Sequence, residues 1–386
     1  MRIAFYAPLK PPTHPVPSGD RRVARLLMTA LARANHVVEL ASRLRSRDGA
    51  GDPRRQQALA EIGRHMAERL IRQYRKRPPE LRPQLWFTYH VYYKAPDWLG
   101  PSVANALDIP YVVAEASHAE KRADGAWAIS HAAAAAAIAR ADAIINLNPA
   151  DMPGVMKAAR VTAASIILKP FLDGADFAAA ATQREQCRAA LAARHRLDPE
   201  RPWLLTVAMM RDGDKLASYR VLGEALDLLL DQPWHLLVVG DGLARPAVEA
   251  ALARLRPQRV RFAGMRLPEE MPDIYAGADL LVWPAINEAY GMTLLEAQAA
   301  GIPVVAGASG GVPAIVAVDR TGLLTPPGNA EGFAAGVRTL LEDPGLRRRM
   351  GAAALDLVAE EHDVASAARL LDRAVRDAVS IHAHAA

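Results

Sequence analysis

A single cysteine in 386 residues, Cys187, leaves no partner for a disulfide within the chain. That excludes a bridged framework and a thiolate metal cluster, and it fits a reducing cytosol. Aromatic residues make up only 5% of the chain and no RNA- or DNA-binding motif accompanies them, so nucleic acid is not an expected partner. No apolar run approaches the roughly 20 residues of a membrane span. The Ala-rich stretch 131–137 is helix-forming and far too short to cross. The opening Met1-Arg2-Ile3-Ala4-Phe5-Tyr6-Ala7 is too short for the apolar core of a signal peptide and reads as a first strand. No His, Cys and Asp residues cluster at metal-ligand spacing, so no metal is expected. A soluble, cytoplasmic protein is the expectation.

What the chain does have is apolar bulk and basic charge. The apolar share is 51%, enough for packed cores, and the length suits two domains of about 150–200 residues. The net charge of +5 is modest but unevenly spread. Between Arg43 and Arg82 stand about a dozen Lys and Arg against about five Asp and Glu. The stretch 54–77 reads as one helix, with Leu59, Ile62, Met66, Leu70 and Tyr74 on one face and Arg55, Arg69, Arg72, Arg75 and Lys76 elsewhere. Such a helix suits peripheral contact with an anionic membrane surface or the steering of an anionic acceptor, and equally an ordinary solvated face.

Short apolar runs alternate with helical patterns throughout. In the first half, 2–7, 37–42, 85–89, 109–114 and 143–147 read as strands and 20–34 as a helix. In the second half, 203–208, 235–239, 260–263, 280–283 and 304–306 read as strands. This βαβ alternation predicts the α/β class, with parallel sheets covered by helices on both faces. Residues 166–171, followed by Leu172-Asp173-Gly174-Ala175-Asp176, read as a hinge. The expected divisions are 1–170, 171–362 and a closing helical segment 363–386, with Asp363 as a candidate cap.

The chemistry concentrates in Asn287-Glu288-Ala289-Tyr290-Gly291-Met292-Thr293-Leu294-Leu295-Glu296-Ala297, where two carboxylates stand eight residues apart. Upstream, Leu280-Leu281-Val282-Trp283-Pro284 reads as a buried strand closed by proline. Downstream, Gly301-Ile302-Pro303 stops a helix before Val304-Val305-Ala306. Glu288 is therefore expected in a loop at the carboxyl end of a strand, and Glu296 within the next helix. In open α/β sheets ligands bind at that edge. Backbone N–H groups near Gly291, Met292, Thr293 and Leu294 favour an anion such as a diphosphate. The flanking carboxylates suit hydroxyls instead, hence ribose and sugar.

Other strand-end loops add candidates. Arg211 and Lys215 follow strand 203–208, a planar fork and a point charge suited to a diphosphate. Asp212-Gly213-Asp214 between them could pair with those cations, with Mg²⁺ the lesser alternative. The Pro-rich first loop ends in Ser18-Gly19-Asp20 at a helix start, where Gly19 permits close approach of a ligand. Asp20, Arg21 and Arg22 are candidate acceptor or phosphate contacts. His118 follows strand 109–114, and His90 ends another strand; a structural role is the alternative for both. Asp241 and Gly310-Gly311 read as shaping residues rather than chemical ones.

The segment Glu288 to Glu296, with its flanking strand, glycine, Leu-Leu pair and Gly-x-Pro, closely resembles the Glu-x7-Glu motif of retaining GT-B glycosyltransferases of family 4 (group 1) type. The resemblance extends over nearly the whole chain. It implies GT-B architecture: two doubly wound Rossmann-like domains facing a central cleft, with the last helix crossing back to the first, acceptor-side domain. It also implies metal-independent, retaining hexosyl transfer from a nucleotide-diphosphate sugar, of UDP or GDP type, to a hydroxyl acceptor. A lipid or an envelope or exopolysaccharide precursor would be such an acceptor. No separate cofactor is implied. By this likeness Glu288 binds the donor sugar, Glu296 the ribose, and Arg211 and Lys215 the diphosphate. The loop with Gly19 lies over phosphates and acceptor, and His118 lies near the transferred sugar.

Three departures stand out. Gly19 is followed by Asp20 where relatives often have Gly-Gly, the Arg211–Lys215 spacing is one residue short, and Ala314 replaces a frequent Glu. Two rivals stand beside this reading: another GT-B enzyme, such as a nucleotide-sugar epimerase or a phosphorylase, against which the Glu-x7-Glu context argues, and a non-catalytic nucleotide-sugar-binding protein, which the departures at Asp20, Asp212 to Asp214 and Ala314 keep open.

Overall fold

The computed structural model describes residues 1–16 and 18–385, so Pro17 of the first loop lies outside the described residues. The chain divides into two units. Unit 1 comprises Met1–Leu168 and the chain from Val364 onward, and unit 2 comprises Lys169–Asp363.

Unit 1 is built on six strands, β1 (Arg2–Tyr6), β2 (Val37–Leu40), β3 (Leu85–Val91), β4 (Tyr111–Ala116), β5 (Ala143–Asn146) and β6 (Ala164–Ile167). They form one parallel sheet in the order β2-β1-β3-β4-β5-β6. The central strands are nearly continuous apolar runs because helices cover both faces. β4 begins at Tyr111 rather than at 109. Pro110 has no N–H for the ladder, and its carbonyl instead accepts the Trp86 N–H at 2.9 Å. Ile166 and Ile167, expected to open the hinge, instead end β6. It is a short edge strand of alternating half-buried and exposed residues, so its apolar content is weak. The helix Val364–Ala385 packs on the helix Gly19–Arg33 and on β5 and β6.

The basic helix runs Pro53–Lys76, and its inner face differs from the apolar stripe expected. Gln56, Gly63, Ala67, Leu70 and Tyr74 point inward, whereas Ile62 is 47% exposed. Close approach explains the rotation: a Cβ on Gly63 would lie 2.4 Å from Cβ of Trp98, so small residues face the packed side.

Unit 2 repeats the scheme with β7 (Trp203–Val207), β8 (His235–Val239), β9 (Val260–Gly264), β10 (Leu280–Trp283), β11 (Val304–Gly307) and β12 (Gly322–Thr325). Its parallel order is β12-β11-β10-β7-β8-β9. β12 escaped the sequence reading because Gly-Leu-Leu-Thr is four residues long and opens on glycine. Trp203, Trp234 and Trp283 are fully buried in its core.

Each order reverses once, and the strand-end crevice at that reversal is where open α/β sheets take ligands. In unit 1 the reversal lies between β1 and β3; in unit 2 it lies between β7 and β10. Among the described residues no helix is long and apolar enough to cross a membrane.

Candidate functional site

At the β7/β10 reversal the two leading candidates meet. Lys215, second residue of the helix Asp214–Asp227 that follows β7, places Nζ 2.5 Å from Glu288 Oε2. The two side chains are only 19% and 16% exposed. Trp283, the last residue of β10, donates from Nε1 to the same carboxylate oxygen at 3.2 Å, and Lys215 Nζ lies 5.2 Å from its ring centroid. A charge-assisted pair shielded on one side by an indole is stronger than an open surface pair.

The loop carrying Glu288 is locked from several sides. Its N–H donates to Ser309 Oγ at 3.1 Å, and the Ile286 N–H donates to the buried Ser218 Oγ at 3.0 Å. Asn287 Nδ2 donates to Asp214 Oδ2 at 3.1 Å. The Glu288 carbonyl nearly touches the next loop: a Cβ on Gly310 would stand 1.9 Å from it. Ala285 and Asn287 adopt φ of 54° and 50°. For Ala285 that left-handed conformation costs about 1–2 kcal/mol. Strain of this kind persists where neighbouring contacts over-determine the backbone.

Gly291, at φ 69°, turns the chain into the helix Met292–Ala299. The Leu294 and Leu295 N–H groups already bond the Gly291 carbonyl, at 2.8 and 3.2 Å. Anion binding by this helix therefore falls to the first N–H groups, those of Met292 and Thr293. Glu296 is only 5% exposed, and its Oε2 accepts the Tyr275 hydroxyl at 2.6 Å. Tyr275 was not foreseen, and neither were Ser309, Ser218 and Trp283 as site residues. Of these, Trp283 alone carried a signal, as the polar-tipped aromatic ending a strand beside the motif.

Two expectations change. Asp212-Gly213-Asp214 was expected to pair with Arg211 and Lys215, but Lys215 takes Glu288 and Asp214 takes Asn287. Gly213, at φ 80°, is what lets this tight turn enter the helix. Arg211 is exposed and, among the described residues, is not brought against Glu288. Asp241 accepts its own loop's Gly242 N–H at 2.8 Å and pairs with Arg245 at 3.1 Å. Among the described residues, no three His, Cys, Asp or Glu side chains gather as a metal site.

Unit 1 has its own pair at the β1/β3 reversal. Asp20, in the first turn of the helix Gly19–Arg33, lies 3.2 Å from His90 Nδ1 near the end of β3. His90 has φ 68°, a bend that turns the ring out of the strand's regular alternation. Burial opposes charge on His90, but the bond and charge of Asp20, with Glu115 and Asp151, outweigh it and raise its pKa. For Asp20 burial pushes upward, yet His90 and Lys10 prevail and its pKa is lowered. Open space lies before Gly19, Ser18 caps the helix through the Arg21 N–H at 3.2 Å, and Arg21 holds the carbonyls of His14 and Pro15. His118 follows β4, and its ring lies against that of His131, 4.8 Å between centroids and tilted by 35°. Burial and the neighbouring His131 lower its pKa, which favours a neutral ring.

Residues 201–343 match the family model described as glycosyl transferases group 1. A D-inositol 3-phosphate glycosyltransferase of Corynebacterium aurimucosum is 43% identical over 122 residues, 32% of this chain and 29% of that protein. One of Streptomyces avermitilis is 40% identical over 146 residues, 35% of this chain and 32% of that protein. The chain thus spans about a third of the length of these curated relatives. A glycosyltransferase from Rickettsia africae superposes with a TM-score of 0.74 at 15% identity, covering 98% of both chains. Sucrose-phosphate synthase from Thermosynechococcus elongatus gives 0.69 at 20%, covering 97% of this chain and 98% of its own. Anabaena HepE, solved in complex with UDP, gives 0.69 at 16%, covering 97% and 100%. At these identities the likeness establishes the fold. The chain has the GT-B fold, and its segment 201–343 matches the model of the glycosyl transferases group 1 family.

Proposed function

We propose that the protein is a retaining glycosyltransferase that moves a sugar from a nucleotide-diphosphate donor to a hydroxyl acceptor. The observation that carries this reading is the Lys215–Glu288 pair at the β7/β10 reversal, set before the helix Met292–Ala299. A cation and a helix N-terminus suit the diphosphate, while an adjacent carboxylate suits sugar hydroxyls. Glu288 would also favour positive charge developing at the anomeric carbon. Glu296 would exchange the Tyr275 hydroxyl for those of the ribose. UDP in the HepE structure supports a nucleotide donor.

In the transfer, the bond from the anomeric carbon to the diphosphate oxygen breaks and the bond to the acceptor oxygen forms. The departing diphosphate, stabilised by Lys215 and Arg211, takes the acceptor proton. No divalent metal is required in this reading, so EDTA should leave the rate unchanged. His118 and Gly19 of unit 1 are assigned to the sugar and acceptor on the resemblance alone.

The test is a thermal-shift panel of UDP, GDP, ADP and their sugars, with Glu296→Ala alongside. A ligand at about 100 times its Kd should add roughly 2.7 kcal/mol to stability. A shift with one base, reduced in the variant, supports the reading and defines the donor class. No shift with any nucleotide would remove it, and binding without turnover for any acceptor would favour a binding protein.

A further inference from the structure

His131 is the one ionisable side chain from Ala128 to Ala139, where its helix, Ala128–Arg140, otherwise carries alanine, isoleucine and serine. It is 7% exposed, and its Nε2 is sealed from water with no hydrogen-bond partner among the described residues. Buried polar atoms are paired in the great majority of cases, so an orphan points to a role beyond packing. For packing alone, an imidazole here serves worse than the alanines and isoleucines around it. The neighbour that His131 does meet is the half-buried His118. With centroids 4.8 Å apart and planes 35° from parallel, ring lies against ring.

Both partners sit on fixed backbone. The His131 N–H donates to the Trp127 carbonyl at 2.7 Å, and the adjacent Ser130 N–H donates to Gln56 Oε1 at 3.1 Å. Gln56 in turn donates from Nε2 to the Ala126 carbonyl at 2.8 Å, which pins the start of the helix. A Cβ on Gly154 would stand 2.4 Å from the His118 carbonyl oxygen, so the helix Met152–Ala158 backs the His118 main chain closely.

Two imidazolium rings in such contact repel, so each ring disfavours charge on the other. Burial and His131 hold His118 below its ordinary pKa, while Glu120 of its own loop opposes them. A neutral imidazole offers sugar hydroxyls one donor and one acceptor, whereas the cation offers donors only. Beside an anomeric carbon that gains positive charge, an imidazolium would also raise the barrier.

We propose that His131 is a positioning residue of the transfer: it braces the His118 ring and keeps it uncharged beside the transferred sugar. The coupling of the two rings stands on unit 1 alone; its use in transfer rests on the transferase reading.

The test is an NMR titration of the imidazole signals in the full chain labelled with ¹⁵N-histidine, with His118→Gln to assign them. In His131→Phe, which keeps a buried ring and removes its charge, the His118 midpoint should move up. His131→Gln should do the same, and it carries the test if the phenylalanine variant does not fold. Nucleotide release from the sugar donor that the thermal-shift panel selects is then followed from about pH 5 to about pH 8. The acid limb of kcat/KM should move up with the midpoint, giving a loss of about threefold or more at about pH 6. Affinity for the bare nucleotide should be unchanged. A His118 midpoint that stays put in both variants would overturn the proposal. So would a midpoint that moves while the acid limb does not, because charge on His118 would then be immaterial to transfer. If the panel selects no nucleotide, the transferase reading falls and the role in transfer with it, while a moved midpoint leaves the coupled pair standing.

Discussion

The two units put an opposite-charge pair at the same topological place and secure it by different means. In unit 2, Lys215 and Glu288 are locked by an indole, two serines and a glycine loop pressed against the Glu288 carbonyl. In unit 1, Asp20 and His90 stay partly exposed, and the loop before them is held by arginine side chains reaching back to carbonyls. The first arrangement is preorganised around permanent charges. The second carries a histidine whose pKa its acidic neighbours raise. A rigid site suits a fixed ligand part such as a diphosphate, whereas a looser one suits chemistry that varies among related folds.

The largest effect expected to break this contrast is at Lys215. Lys215→Ala should lower transfer by about 100-fold or more, as removal of a charge-stabilising donor does. Asp20→Asn should leave nucleotide affinity unchanged, and calorimetric titration of UDP into both variants compares the units directly. Were Asp20→Asn to weaken UDP as much as Lys215→Ala, the division of labour would be wrong.

Next comes the glycine loop. Gly310→Ala forces a Cβ toward the Glu288 carbonyl at a residue with φ 52°. A loss of about 2–3 kcal/mol in urea unfolding is expected, with weaker nucleotide binding. A variant of wild-type stability would show that the loop yields.

A smaller effect lies in the pH dependence of unit 1. His90 has a raised folded-state pKa, so its stabilisation is complete below the unfolded value near 6.5 and is lost as pH rises through the raised value. Asp20 has a lowered one, so its share is complete above 3.8 and is lost as pH falls through the lowered value. Urea midpoints measured from about pH 6 to about pH 9 should therefore decline on the alkaline side, and Asp20→Asn should flatten that decline. An unchanged slope in the variant would show that the pair does not couple to folding.

The smallest effect concerns the basic helix. Ile62→Gln should change stability by less than about 0.5 kcal/mol, because the residue faces outward. Gly63→Ala should cost more, because its Cβ meets Trp98. The reverse order would restore the apolar stripe read from sequence.

The α/β class was legible because buried parallel strands are apolar runs, and the places of Glu288 after a strand and of Glu296 within the next helix were legible from the breaks around them. Partnership was not. Lys215 and Glu288 are 73 residues apart, and spacing says nothing about which acid a lysine meets. The same holds for Asp20 and His90, and for Tyr275, whose hydroxyl is tied to Glu296 only by the packing of two helices. β6 and β12 were missed because edge strands need little apolar content. The helix Pro53–Lys76 misled because close backbone approach selects small residues over large ones.

The position of Trp283 has an optical consequence. Its indole N–H rests on Glu288 while the Lys215 ammonium lies over its ring, and the residue is sealed from water. Indole emission responds in wavelength and yield to the field of nearby charges. Any ligand that draws Lys215 away from Glu288 rearranges that field at a fixed, shielded fluorophore. The protein thus carries an intrinsic reporter of its own Lys215–Glu288 pair, to be read without label by comparing the emission change with that of Trp283→Phe.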